Sequence, residues 1–252
     1  MLQFFLRILA FLRDGIFPAS CLGCGLEGSF LCDGCQKILI RLENALCFKQ
    51  TTPVFNEPSV GHCLNQPDER FCDAVWASCD FEKNPLLQKA IHGLKYDFLV
   101  ELARPLGKLV APTLADVAKH EHGLGRSVVL CPLPLHRKRE RWRGFNQSVL
   151  LAQSALCSYI SDDTSSIAPQ PRMEMLLERI HFARPQMELT REERKQNIAN
   201  AFRCLQRPRL PGQTVVLVDD VATTLSTLHS AAQCLKNAGY ERVCGLVLAR
   251  VF

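Results

Sequence analysis

Along this 252-residue chain the spacing of apolar positions changes several times, and each change marks an element. Residues 215–218, Val-Val-Leu-Val, are an unbroken β-branched run, the pattern of a strand buried on both faces. Asp219 and Asp220 stop that run, a hydroxyl-rich stretch follows, and helical spacing then covers 226–238 until Gly239. A second buried run, 243–249, is expected beside 215–218 through a right-handed crossover. Upstream, 74–81 is strand-like and 85–96 is an amphipathic helix opened by Pro85. Residues 102–120 keep a helical period across Pro105 and Pro112, each proline being better placed near a helix start than inside one. Residues 128–131 form a short buried strand that ends in Pro132-Leu133-Pro134-Leu135, because proline cannot continue central pairing. A helix over 148–159 and a short strand over 175–180 complete the pattern. Alternating strands and helices predict an α/β fold with an open, mostly parallel sheet.

The N-terminal part reads differently. Residues 1–17 place Leu2, Phe5, Leu6, Leu9 and Leu12 on one helical face, expected to pack against the body of the protein. Arg7, Arg13 and Asp14 interrupt the apolar run far short of a bilayer span, so neither a transmembrane segment nor a secretion signal is predicted. Next come Cys21-Leu22-Gly23-Cys24 and Cys32-Asp33-Gly34-Cys35, two C-x2-C knuckles separated by seven residues. Such a pair can close four thiolates around one tetrahedral zinc, leaving no open coordination position, so its role is to fold or dock a small module. Residues 47–72, rich in Pro, Asn, Thr and acids with Cys47 and Cys63 left single, read as a linker. The chain therefore divides into 1–70, an amphipathic helix and zinc module with linker, and 71–252, the larger domain. Its 13 cysteines are odd in number, and later ones such as Cys157, Cys234 and Cys244 stand singly, which suits a reduced cytoplasmic protein better than a disulfide framework. The formal charge of +5 permits anionic partners without demanding them.

In open parallel sheets ligands bind beyond the C-terminal ends of strands. Past 215–218, the free N–H groups of the helix start and the hydroxyls of Thr223, Thr224, Ser226 and Thr227 could wrap a phosphate, while Asp219 and Asp220 suit ribose hydroxyls or a hydrated divalent cation. A second centre is 136–143, His-Arg-Lys-Arg-Glu-Arg-Trp-Arg, read as a basic loop in which six of eight residues are Arg, Lys or His. Arg139, Arg141, Arg143 and Asn146 offer a surface to DNA or polyphosphate, and Trp142 and Phe145 could stack a base or simply anchor the loop. Charge runs are usually just solvent-facing. This one, however, leaves a strand end as Asp219 does, so both centres could face one crevice. Within the charged stretch 184–197, Thr190 and Glu193 could cap a short helix, with Ala201 and Phe202 packed beneath it.

Taken in order, the cysteine knuckles, Pro-Leu-Pro-Leu-His at 132–136, Arg-Gly-Phe-Asn-Gln at 143–147, Gln186-x2-Leu189-x3-Glu193-Arg194-x2-Asn197 and Val-Asp-Asp at 218–220 resemble the ComF/GntX family over nearly the whole chain. The 215–227 stretch resembles the phosphoribosyl diphosphate (PRPP) signature of type I phosphoribosyltransferases. The resemblance implies a zinc-binding N-terminal module, a type I phosphoribosyltransferase domain and a link to natural transformation. It further implies that Asp219 and Asp220 hold the ribose hydroxyls of PRPP, with Mg2+ accompanying the ligand. The 5′-phosphate falls to Thr223, Thr224, Leu225, Ser226 and Thr227, and pyrophosphate to Leu135, His136 and Arg137. Residues 186–197 would match the flexible closing loop, with Arg194 reaching the leaving group as the catalytic candidate. Two positions depart from the signature: Ala222 replaces a larger aliphatic residue, and Leu225 replaces a small one where the backbone can need a conformation costly for a residue with a Cβ. Two functional readings follow. One is a competence-type protein that handles single-stranded DNA in the cytoplasm, with a PRPP/Mg pocket as a ligand site and other DNA-uptake proteins as partners. The alternative is an active phosphoribosyltransferase with an unidentified acceptor.

Overall fold

The computed structural model describes residues 19–42, 46–47, 72–161, 170–180 and 201–251. The expected helix over 1–17, most of the 47–72 linker and the charged stretch carrying Thr190 and Arg194 lie outside these residues. The described helices are α1 (Asp33–Lys37), α2 (Pro85–Tyr96), α3 (Ala103–Gly123), α4 (Arg137–Arg143), α5 (Gln147–Ser161) and α6 (Ser226–Asn237). The strands are β1 (Leu46–Cys47), β2 (Ala74–Asp80), β3 (Ser127–Pro132), β4 (Arg172–Met173), β5 (Leu177–Arg179), β6 (Phe202–Cys204), β7 (Gln213–Ala222) and β8 (Arg242–Arg250).

The main sheet runs β1-β2-β8-β7-β3-β4, its last five strands parallel and β1 antiparallel at the edge. This is the open, mostly parallel α/β sheet that the pattern predicts, with β7 and β8 as neighbours. The unbroken apolar runs have a direct cause. Successive side chains on a strand point to opposite faces, so Val216 and Val218 join the apolar cluster with Leu87, Leu106 and Leu114, while Val215 and Leu217 join the cluster with Leu228, Ala231 and Phe202. Helices α2, α3 and α5 thus cover one face, and α6 with the antiparallel β5–β6 pair covers the other. Between α3 and α5 the backbones touch: a Cβ on Gly107 would sit 2.3 Å from Ser154 Cβ.

Four readings are corrected. The basic stretch 136–143 is not a loop. His136 accepts from the Lys138 N–H (3.2 Å), and Gly144 ends α4 in the left-handed conformation (φ 81), so good helix formers between two caps become a helix. Pro112 lies inside α3, which runs unbroken. Strand β7 does not stop at Val218 but carries both acids, because β8 pairs with it in register as far as Ala222. Finally, the strand expected over 175–180 is shorter and belongs to the small β5–β6 pair, outside the main sheet.

The cysteine segment shares the main core. Cys21, Leu31, Cys35 and Leu39 lie in the same apolar cluster as Leu87 and Ala90 of α2. Asn84 fixes the exit of this segment, accepting from the Ile40 N–H (2.8 Å) and donating to the Ile40 carbonyl (2.9 Å).

Topology places the site. From β3 the chain passes through α5 to β4 on one side, and from β7 it passes through α6 to β8 on the other. Adjacent strands whose connections leave in opposite directions open a crevice at their C-terminal ends, and here those ends are Pro132 and Asp219-Asp220.

Candidate functional site

The floor of the crevice is the acid pair. Asp220 is 3 % exposed, and its Oδ1 lies 2.8 Å from Lys95 Nζ and accepts from the Val221 N–H, while Oδ2 is buried with no partner among the described residues. Asp219, half-buried, accepts from Ser148 Oγ and from the Asp220 N–H, both at 2.9 Å. Burial, followed by the charge of Asp220, pushes the Asp219 carboxyl up to about 7, with Lys95 and those two hydrogen bonds pulling the other way. Both effects favour the protonated Asp219 carboxyl over the carboxylate.

Cations surround it. Arg143, the last residue of α4, is 5 % exposed, donates to Gln147 Oε1 and lies over the Tyr96 ring at 5.8 Å, with its Nε buried and without a partner among the described residues. Its pKa is lowered by burial and partly restored by Asp220. Arg179 of β5 is held over the Phe202 ring at 5.6 Å, its own Nε buried and without a partner among the described residues. Burial and Arg139 lower its pKa, against Asp219. Two guanidinium groups with unmet buried donors beside a carboxylate pair suit a ligand that carries both phosphates and hydroxyls.

The turn that follows β7 leads directly into α6. Thr223 and Thr224 are exposed, the hydroxyls of Thr224 and Ser226 lie 2.9 Å apart, and α6 begins with no side-chain cap, so its first N–H groups face outward from the helix start. Thr227 is half-buried in the first turn. Leu225 takes the left-handed conformation (φ 59, ψ −2), the one that favours glycine, while its side chain packs on the apolar cluster under α6.

The residues expected to meet DNA or polyphosphate separate into two groups. Arg139, Arg141 and Trp142 face solvent. Arg143 and Asn146 do not: a charge buried at this depth needs partners, and Arg143 has Gln147, Tyr96 and Asp220. Asn146 shapes the entry to α5 instead, donating to the Leu133 carbonyl (3.0 Å) and accepting from the Ser148 N–H (2.9 Å). Phe145 packs on the core, which decides for the anchor over the stacking partner. Leu135 is buried, His136 caps α4, and Arg137 reaches Glu178 at 3.6 Å across the crevice wall.

The four knuckle cysteines converge with all ligand atoms within 4.8 Å of one another. Cys24 and Cys32 Sγ are 3.7 Å apart, and tetrahedral zinc with Zn–S near 2.3 Å requires about 3.8 Å. The Cys32 N–H donates to Cys21 Sγ and the Cys35 N–H to Cys32 Sγ, both at 3.4 Å. Burial opposes ionisation of Cys21, but backbone donors from Cys32, Cys24 and Gly23 outweigh it and bring its thiol down to about 6. The Cys35 thiol moves the other way, up to about 12, chiefly through its hydrogen bond with Cys21, so it is the convergence of four sulfurs that fits a metal ion preferring thiolates.

No protein-family model matches the chain. Individual relatives do. Over 233 residues it is 28 % identical to competence protein F of Haemophilus influenzae, covering 88 % of this chain and 97 % of that protein. Over 214 residues it is 31 % identical to DNA utilization protein YhgH of Escherichia coli K12, covering 84 % of this chain and 87 % of the relative. The chain belongs to the ComF family. Competence protein ComFC of Bacillus subtilis is a more distant relative of this ComF chain, 23 % identical over 216 residues.

Three site residues of this ComF chain were missed in its sequence: Lys95, Ser148 and Arg179. A lysine in the last turn of an amphipathic helix reads as a helix-end cation, and a serine at a helix start reads as a cap. Arg179 alone left a usable signal, since like Asp219 it stands near the end of a strand. Among the described residues no helix is long and apolar enough to cross a membrane.

Proposed function

We propose that this protein is a competence-type factor that handles single-stranded DNA in the reducing cytoplasm and carries a PRPP·Mg2+ site in its switch-point crevice. The observation that supports it most is the acid pair at the end of β7, set among Lys95, Arg143 and Arg179 with two buried guanidinium donors unmet. Asp219 and Asp220 would take the ribose hydroxyls, with Mg2+ held through the phosphates. Thr223, Thr224, Ser226 and Thr227, with the backbone at Leu225, would take the 5′-phosphate. Leu135, His136 and Arg137 would line the pyrophosphate side, with Arg143 and Arg179 beneath; Arg194, the candidate for the leaving group, lies outside the described residues. The competence role is supported by the relatives, whose names are competence protein F, DNA utilization protein YhgH and competence protein ComFC. Described cysteines are free thiols, in keeping with a reducing compartment. We assign zinc to the cysteine tetrad, where it would hold residues 21–39 against α2.

The exposed cations of α4 provide the DNA contact, and its test is the salt dependence of single-strand binding. Changing Arg139 and Arg141 together to Ala should weaken binding and lower the slope of log K against log salt by about 1.4. An unchanged slope would remove α4 as the DNA surface.

A second reading, phosphoribosyl transfer, draws on the Leu225 side chain being packed on the core. In that case departing pyrophosphate would meet Arg143 and Arg179, groups already fixed where its charge develops. Release of pyrophosphate from PRPP in the presence of an acceptor base or metabolite separates this reading from the first.

A further inference from the structure

Beside the crevice stand two exposed aromatic rings that the acid site does not use: Trp142 is 59 % exposed and Phe98 43 %. Phe98 and Trp142 meet edge to face, ring centroids 5.3 Å apart and planes at 64°. Phe98 is held there by a left-handed backbone (φ 56), a conformation that costs a residue with a Cβ. Rings of this size are normally buried, and here two elements bring them out together: the segment after α2 supplies Phe98, and α4 supplies Trp142. Both elements also reach the crevice, α2 through Lys95 on Asp220 and α4 through Arg143, the sequence neighbour of Trp142.

Charge decides what such a platform takes. The exposed surface of α4 carries Arg137, Lys138, Arg139 and Arg141 against Glu140. An apolar protein partner would gain little from four cations at its rim, whereas a strand of nucleic acid offers phosphates to the cations and π faces to the rings. The edge-to-face contact occupies at most one face of each ring, which leaves ring surface for a base. We infer that Phe98 and Trp142 form a base-stacking platform for single-stranded nucleic acid, with Arg139 and Arg141 on its backbone and the strand passing the mouth of the Asp219–Asp220 crevice. This rests on the single-strand reading above and adds to it a requirement for bases.

The test compares an oligothymidylate with an abasic strand of the same length, both labelled and followed by anisotropy at low salt with the full chain. Wild-type protein should bind the base-bearing strand roughly tenfold or more tightly than the abasic one. Intrinsic fluorescence should be quenched by the base-bearing strand alone, since Trp76 is buried at 8 % and Trp142 is the exposed tryptophan. Trp142→Ala and Phe98→Leu should each lose most of the tenfold preference while keeping the affinity for the abasic strand, and Trp142→Phe should retain most of it. Trp142 is exposed enough for its removal to leave the fold intact. Equal affinity of the wild type for the two strands, or a preference untouched by Trp142→Ala, would overturn the platform and leave the DNA reading standing. Failure of the wild type to bind either strand would overturn both.

Discussion

Replacing Asp219 by Asn should make the protein more stable at pH 8 and not at pH 4. The neutral amide keeps the shape of the carboxyl and removes the charge that burial and Asp220 oppose. A carboxyl moved from 3.8 in the unfolded chain to about 7 in the fold binds its proton more tightly when folded. Stability therefore falls as pH rises from about 4 to about 7 and is level on either side, because between those values the folded state holds a proton that the unfolded state has lost. The ceiling of this effect is about 4 kcal/mol, at about 1.4 kcal/mol per pH unit. Asp219 is only half-buried and accepts two hydrogen bonds that an amide oxygen accepts less strongly, so about 1–2 kcal/mol is the working expectation. Urea denaturation of wild type and Asp219→Asn at pH 4, 5.5, 7 and 8 measures it: the gap between the two proteins should open across that window in favour of the variant. A variant less stable than wild type at pH 8, or a gap constant with pH, would refute the reasoning.

Three further outcomes follow from the same geometry. Zinc measured on purified reduced protein should be one per chain, and Cys35→Ser should lose it together with of order 3 kcal/mol of stability, because Cys35 also belongs to the main core; a metal-free protein of unchanged melting temperature would contradict this. Gly107→Ala should destabilise by about 1–3 kcal/mol, opposite in sign to the usual gain from Ala in a helix, since its Cβ would lie 2.3 Å from Ser154 Cβ. Thermal unfolding reads it, and Ser154→Gly in the same chain should recover part of the loss. Leu225→Gly should change stability by less than about 1 kcal/mol, as relief of the left-handed backbone offsets lost side-chain packing; a larger loss in denaturant would show that the leucine is mainly a core residue.

What the sequence reveals and what it hides divide along physical lines. Strands β7 and β8 were legible because burial on both faces demands unbroken apolar runs, and the cysteine tetrad because metal ligation fixes residue type and spacing together. The acid pair could be placed at the C-terminal end of its strand because the run of apolar residues stops there. Contacts made across the fold left no such mark. Lys95 meets Asp220, and Ser148 meets Asp219, only because α2 and α5 come to the same crevice, and neither spacing nor composition encodes that. The basic stretch misled for another reason: its charge density pointed to an exposed loop, whereas its caps, His136 and Gly144, specify a helix that turns Arg143 inward. At Leu225 the backbone is left-handed, the conformation whose cost the sequence suggested, and the side chain's packing on the core was the part that could not be read.

In the proposed function the switch-point crevice binds PRPP through its acid pair. Calorimetric titration of PRPP with magnesium into the wild type and into Asp219→Asn/Asp220→Asn tests it most directly. Saturable binding by the wild type, absent from a double variant that is still folded, is the predicted result; a wild type that shows no heat of binding, or a double variant that binds as well as the wild type, would contradict it.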